Sequence, residues 1–413
     1  MLALMAQFAL AAHIAALVLL FVLGAPAVRA ARRVWLEKRR LPAPAEPQPG
    51  SPPRLALIVP LTGDSPGMER CLRSLLDQPG MDFDAWFAVQ DEADPAAGLV
   101  RRLMAGHPRL RLVLSGPAAT CCQKNHSLLA ALDALAEAGK NRPEGPPDIL
   151  VFCDSTHEAA PDFLTRLTAP VAEGRAVLAT SYHRVLPEDD RPATLCHFYS
   201  ALGIHLLQSL PLLCQPWGGA TAILRREFLA HGVDAVWARG VVDDFTMGPY
   251  LQGRGVRALA VPEAALLTPV AGQTMGRWWD WWFRQLLYLK FCMPGTWLAG
   301  TAGALGLLGA WCWAAWDLAR GGLSGWFYLA ALAGLGLPLG GLSQRRLPAW
   351  RRAASFLLMQ GATLFCYLAT WGTNTLRWRG IAYKAGLDGT VRRIEREQAP
   401  RRSSPGANDT ERK

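Results

Sequence analysis

The sequence predicts an α/β domain with a mostly parallel, Rossmann-like sheet, set between an N-terminal transmembrane helix and further membrane helices towards the C-terminus. Three observations carry that expectation. From Leu55 onwards, short β-rich apolar runs alternate with stretches of helical period, which is the pattern of βαβ units. Residues 2–28 are almost unbroken apolar sequence, interrupted only by Gln7 and His13. Beyond the mixed region come three more apolar stretches, 296–316, 326–342 and 353–371.

The first apolar stretch has the length of a membrane-spanning helix, about 20 residues. A cleaved signal peptide is the rival reading, but the stretch lacks a basic start and a clean cleavage site. Residues 1–28 are therefore expected to be an anchor, and 29–51 a basic, Pro-rich linker. The linker begins "RAARRVWLEKRR", and basic residues beside a span stay in the cytoplasm, so the domain at 52–270 should be cytoplasmic. The net charge of +10 is then mostly a membrane statement: basic flanks favour the phospholipid bilayer, and no feature calls for nucleic acid. At 51% hydrophobic and 18% charged residues the chain is greasier than a typical soluble protein.

Towards the C-terminus, "GRWWDWWFRQLLYLK" packs five Trp or Phe into six residues ahead of a basic end. It reads as an amphipathic interfacial segment at 271–295. Membrane segments follow at 296–372, with aromatic residues at their margins, then a basic, partly disordered tail at 373–413. "SQRRLPAWRR" before the last stretch and "LRWRG" after it both read as cytoplasmic. One complete crossing between them forbids that, so the parity of the spans stays open. The nine cysteines form no Cys-x-x-Cys pair and no zinc-like spacing, which suits free thiols in a reducing compartment.

Within the domain, "RLALIVPLTGD", "FDAWFAVQ", "LRLVLSG" and "PPDILVFCDST" read as strands, with "GMERCLRSLLDQ", "AAGLVRRLMAGHP", "KNHSLLAALDALAEAG" and "APDFLTRLTAPVAEG" as the helices after them. Acidic residues recur at strand ends or the loops beyond: Asp91 and Asp94, Asp154, then Asp243 and Asp244. In a parallel sheet the carboxyl ends share one edge, where ligands bind. Asp154 as a helix N-cap, Asp94 as plain turn chemistry before Pro95, and Asp243–Asp244 as a solvated loop are the bland alternatives. His157 reads more readily as a surface histidine than as a ligand. No Gly-rich phosphate loop is present, so phosphates must be held another way, and carboxylates bridged by a divalent cation are the usual one.

Taken together, "VQDEADP", "CDST…PDFL", "GGATAILRREFL" and "VVDDF", in this order over residues 55–290, resemble the family 2 glycosyltransferases, whose catalytic domain is a GT-A fold. The nearest likeness is to the ceramide glucosyltransferase branch and similar bacterial lipid glycosyltransferases. The resemblance implies that Asp91 or Asp94 contacts the nucleotide, that Asp154 approaches the diphosphate and a Mg²⁺ or Mn²⁺ ion, and that Asp244 is the general base with Asp243 beside it. It implies Lys124 in "QKNHSLL" as a further donor-site residue. The second metal aspartate is replaced by Thr156. The closing (Q/R)-x-x-R-W motif is imperfect: "TMGRW" keeps Arg277-Trp278, while "WWFRQ" offers Arg284 and Gln285, the pair favoured here. "CQPWGGATAILRR" is expected to shape the acceptor side through Trp217, Gly218 and Gly219, the glycines permitting close backbone approach.

The function so implied is membrane-bound, inverting transfer of a sugar from a nucleotide diphosphate, such as UDP-glucose, to the hydroxyl of a ceramide-like or hopanoid-like lipid. The setting would be a bacterial inner membrane. Asp243 next to Asp244 should raise the pKa of the base by like-charge repulsion. Rival readings are a polyprenyl-phosphate or polysaccharide-synthesising transferase, and a non-catalytic membrane scaffold.

Overall fold

A computed structural model describes residues 53–396 apart from Glu144, Ser209 and Leu212, with five helical residues nearer the start, Leu4, Gln7, Phe8, Ala11 and Ala15. The rest of the expected anchor and linker, and positions 397–413 of the tail, lie outside the described residues.

The first half follows the alternation read from the sequence. It runs β1 (Leu55–Pro60), α1 (Met68–Leu76), β2 (Phe83–Val89), α2 (Pro95–Met104), β3 (Leu110–Leu114), α3 (Gln123–Lys140), β4 (Ile149–Cys153) and α4 (Phe163–Ala172). β1 and β4 are buried along nearly their whole length, as continuous apolar strands covered on both faces must be. Next come β5 (Leu178–Thr180), β6 (His183–Pro187), α5 (Pro192–Gln208), β7 (Ala220–Leu224), α6 (Arg225–Ala230), α7 (Val233–Trp237), α8 (Asp244–Gln252), β8 (Ala258–Ala260) and β9 (Leu266–Val270). The main sheet has the order β3-β2-β1-β4-β7-β5-β8. β7 runs antiparallel to both of its neighbours and the other pairs are parallel. β6 and β9 make a separate parallel pair. The mostly parallel α/β sheet is therefore as expected, and β1, β2 and β4 deliver their carboxyl ends to one edge.

Four longer helices follow: α9 (Met275–Cys292), α10 (Pro294–Ala319), α11 (Ser324–Gly341) and α12 (Ala349–Ala369). Among the described residues, Pro294–Ala319 and Ala349–Gly372 are long and apolar enough to cross a membrane. The stretch expected at 326–342 is helical but does not reach that standard. α10–α12 and the turns beside them expose large apolar side chains such as Phe327, Trp326, Trp350 and Phe365, a kind of surface that water does not favour.

The chain after α12 departs from the sequence reading. Where a basic, partly disordered tail was expected from 373, an antiparallel meander forms: β10 (Thr375–Trp378), β11 (Ile381–Ala385) and β12 (Val391–Arg396). It packs on the α/β domain. Val241 N donates to Gly389 O (2.9 Å), and Val391 N donates to Arg239 O (2.8 Å). The loop before α12 also returns to the domain, with Arg345 Nε donating to Asp190 Oδ1 at 2.8 Å. The end of α12 meets α9, where Lys290 Nζ donates to Thr370 O at 2.8 Å. These contacts bring both the loop before α12 and the meander after it back to the same α/β domain.

Candidate active site

At the carboxyl edge of the sheet lies a cavity of about 580 Å³. Its floor is an acid–lysine cluster. Lys124 stands in the first turn of α3, whose N-cap is Cys122, the thiol accepting from Asn125 N at 3.4 Å. From there its Nζ reaches Asp154 Oδ1 at 2.8 Å and Asp243 Oδ2 at 3.0 Å. Asp154 follows directly from β4 and Asp243 from the loop before α8, so one ammonium ties two distant segments together. Asp154 is not a helix cap; α4 begins only at Phe163, with Asp162 in that position.

Asp244 opens α8 and is buried. Its Oδ2 accepts from Gly218 N (3.1 Å) and its Oδ1 from Phe245 N (2.7 Å). Burial and then the neighbouring Asp243 push its pKa up to about 7, against the lowering pull of Lys124 and the two amides. The like-charge effect expected from the "DD" pair is thus present, with burial the larger cause. Burial alone would lower the Lys124 ammonium, but Asp154, Asp243 and Asp244 hold its pKa well above the ordinary value. Burial raises the Asp154 carboxyl, yet Lys124, with His157 and Arg284 further off, brings it below the usual range.

The glycines of "WGGA" serve this cluster by leaving room. A Cβ on Gly218 would stand 2.2 Å from Asp243 Oδ2 and 2.6 Å from Lys124 Nζ; one on Gly219 would stand 2.2 Å from the Trp217 ring. Trp217 itself stacks on His183 (centroids 5.1 Å, 16°) and packs against Tyr182 (4.8 Å) and His157 (5.0 Å). His157 corrects the surface reading: it is buried, and Thr268 Oγ1 lies 2.8 Å from its Nδ1 and 2.7 Å from that of His183. Burial lowers the His157 pKa to about 4 and that of His183 well below its ordinary value, so both rings are neutral near pH 7.

Of the first acidic pair, Asp94 lines the cavity and Asp91 does not. Asp94 also caps α2, accepting from Ala96 N (2.9 Å), and receives Gly63 N (2.8 Å). Asp91 is exposed, its oxygens taken by Ala93 N and Gln90 Nε2. From α9, Arg284 and Gln285 line the cavity. Trp278 instead is fully buried, its Nε1 donating to Ser200 Oγ at 3.2 Å, and the neighbouring Arg277 lies outside the lining.

Sequence reasoning missed part of the lining: Tyr182 and His183, Tyr288 on α9, and Trp378, Arg379, Tyr383 and Arg396 of the meander. The alternation in "LRWRGIAYKAG", with Arg-Gly at its centre, was the available hairpin signal. Among the described residues no group of three or more His, Cys, Asp or Glu is placed to hold a metal by itself.

A family model described as glycosyl transferase family 21 matches residues 17–391. This chain belongs to glycosyl transferase family 21. The resemblance to family 2 thereby narrows to a different numbered family, and the activity is glycosyl transfer from a nucleotide-activated sugar. Among solved structures, the chain is similar to a mannosyltransferase from Pyrobaculum calidifontis in complex with GDP-Man and Mn²⁺: 18% identity over 89% of this chain and 98% of that one, TM-score 0.52. That likeness supports the GT-A fold. The glucosyl-3-phosphoglycerate synthase of Mycobacterium tuberculosis, in complex with Mn²⁺, UDP-glucose and glycerol 3-phosphate, matches at 16% identity over 57% of this chain and 79% of that one, TM-score 0.33.

Proposed function

We propose that this family 21 enzyme is an integral membrane, inverting transferase that moves a hexose from a nucleotide diphosphate donor, of the UDP-glucose class, to a lipid hydroxyl of ceramide-like or hopanoid-like type. The observation that carries the reading is the Asp154–Lys124–Asp243 bridge beside Asp244, in a cavity whose wall includes the Trp-rich helix α9. In this mechanism the acceptor hydroxyl hands its proton to ionised Asp244 while its oxygen attacks the anomeric carbon from the face opposite the leaving diphosphate. Direct displacement inverts the centre, so an α-linked donor yields a β-glycoside. The two backbone amides on Asp244 hold the carboxylate in one orientation, and its pKa of about 7 leaves it basic enough to accept a proton near neutrality. Asp243 keeps Lys124 in place, and Lys124 presents Asp154. Arg284 supplies positive charge for the departing diphosphate.

The donor set fits a divalent cation of the shared kind. Asp154 Oδ1 is engaged by Lys124, its Oδ2 has no partner among the described residues, and Mg²⁺ or Mn²⁺ commonly takes one or two protein carboxylates with the remaining ligands from phosphate and water. Asp154 is the residue that would hold it, and the ion would neutralise charge on the leaving diphosphate. The similar solved structure holds Mn²⁺ with GDP-Man, which supports a divalent cation for this chain as well.

Membrane placement is supported by the exposed aromatic and aliphatic side chains of α10–α12 and by the basic loop 343–352, whose Arg345 and Arg351 pair with Asp190 of the catalytic domain. Basic loops stay in the cytoplasm, so the catalytic domain lies there with it. The test is incubation of purified protein with UDP-glucose, other UDP-sugars and GDP-mannose, together with a total bacterial lipid extract. A lipid gaining one hexose, with a β anomeric coupling by NMR, is the expected result. Hydrolysis of donor without any lipid product, across the panel, would overturn the acceptor assignment.

A further inference from the structure

The cavity has a second lip that the acid–lysine cluster does not explain. Asp94, Asp154, Asp243 and Asp244 face it against one ammonium, Lys124, and one guanidinium from α9, Arg284. A nucleoside diphosphate adds two or three negative charges to this already acidic site. More positive charge is required, and the meander carries it. Arg379 lines the cavity from the β10–β11 turn and Arg396 from the end of β12. Among the described residues neither is ion-paired. Each gives a hydrogen bond only to a neutral oxygen, Arg379 Nη2 to Ser65 Oγ (3.3 Å) and Arg396 Nη2 to Ala118 O (2.7 Å). With five N–H donors on each guanidinium, most remain for a ligand.

The placement is built, not incidental. Arg379 has φ +52°, in the left-handed region that a non-glycine residue adopts at some cost, followed by Gly380 at +73°; this is the backbone of a tight two-residue hairpin. The meander is fixed to the two segments that carry the chemistry. Tyr383 accepts from Gln123 N at 3.1 Å, beside Lys124, while Gly389 and Val391 bond to Val241 and Arg239, just before Asp243. Ile381, Tyr383 and Leu376 share an apolar cluster with Cys122, Val242 and Phe291.

We propose that Arg379 and Arg396 bind the diphosphate of the nucleotide donor, so that the strands after the last membrane helix are part of the donor site. The inference rests on the donor reading above. Its test uses the full chain in lipid nanodiscs, titrated calorimetrically with UDP and with GDP, alongside the variants R379A, R396A, R379Q and the double alanine variant. A charge-assisted hydrogen bond lost from each single variant should weaken the preferred diphosphate about tenfold or more, and the double variant further still. Competition by the matching nucleoside, which lacks phosphate, should be unchanged, and Arg379→Lys should recover part of the loss. Diphosphate affinity equal to wild type in both single variants overturns the inference and leaves the donor reading standing. An equal loss for the nucleoside also overturns it, because the variants would then have disturbed the cavity rather than a phosphate contact. Failure of the wild type to bind either diphosphate removes the donor reading and this inference together.

Discussion

Replacing Lys124 with methionine keeps the length of the side chain and removes its charge. At 2.8 and 3.0 Å from Asp154 and Asp243, each contact is worth about 6 kcal/mol of gross attraction at an effective dielectric of about 20. Most of that only offsets the cost of burying the three groups. Deleting one partner of such a buried network typically costs about 3–5 kcal/mol, since the partners left behind stay charged and uncompensated. A second effect reaches Asp244, because the charge of Lys124 lowers its pKa. In the proposed mechanism the base works ionised, so kcat/KM should rise with pH through that pKa, near 7 in the wild type, and the rise should move to higher pH in K124M. Stability follows the opposite sign. A carboxyl whose folded pKa lies above its unfolded value contributes stability at acid pH that is lost as pH rises through about 7, and K124M should lose more there. Thermal unfolding and pH–rate profiles of both proteins read the two effects. Adding Asp154→Asn to K124M should return part of the stability, as groups in one network do not add independently. An unshifted or lowered acid limb, together with unchanged thermal stability, would refute the claim that this ammonium sits between the acids.

Three further outcomes follow from the same geometry. Asp244→Asn should lower kcat by about 10²–10⁴ while leaving donor affinity near wild type, measured by steady-state turnover beside calorimetric UDP binding. Gly218→Ala should cost about 1–3 kcal/mol and nearly all activity, because its Cβ would need the space held by Asp243 and Lys124; Gly203→Ala, with nothing within 4 Å, is the matched control. Chelation should slow turnover, with recovery on adding back Mn²⁺ or Mg²⁺, and Asp154→Asn should weaken the response to metal.

The catalytic half of the fold was legible because its signals are local. β1 and β4 are short unbroken apolar runs that end on a turn or an acid, and the helices between strands carry their period in the sequence. Asp154, Asp243 and Asp244 stood out for the same reason, each lying just past a run of apolar residues. What escaped depends on distant partners. His157 is buried by β9 and by Trp217, and the residue that orients it, Thr268, lies over a hundred positions away. Asp91 and Asp94 are equivalent on paper, and only the approach of Gly63 and Thr62 from the β1–α1 loop separates them. The meander was masked by its charge. With Arg377, Arg379, Arg392, Arg393 and Arg396 close together, strands of four to six residues resemble the basic flank of a membrane helix.

That masking has a consequence for how the site is assembled. The cavity floor is complete by Asp244, but its second lip is made from residues more than 130 positions later, beyond α10–α12 in the chain. The hydrogen bond from Val391 to Arg239 joins segments separated by those helices. Closing so long a loop carries an entropy cost that grows only slowly with its length, so the arrangement is thermodynamically tolerable. The loop bearing Asp243 and Asp244 therefore takes its outer support from a segment that follows α10–α12 in the chain. The cavity is lined on that side by strands that come after α10–α12 in the chain.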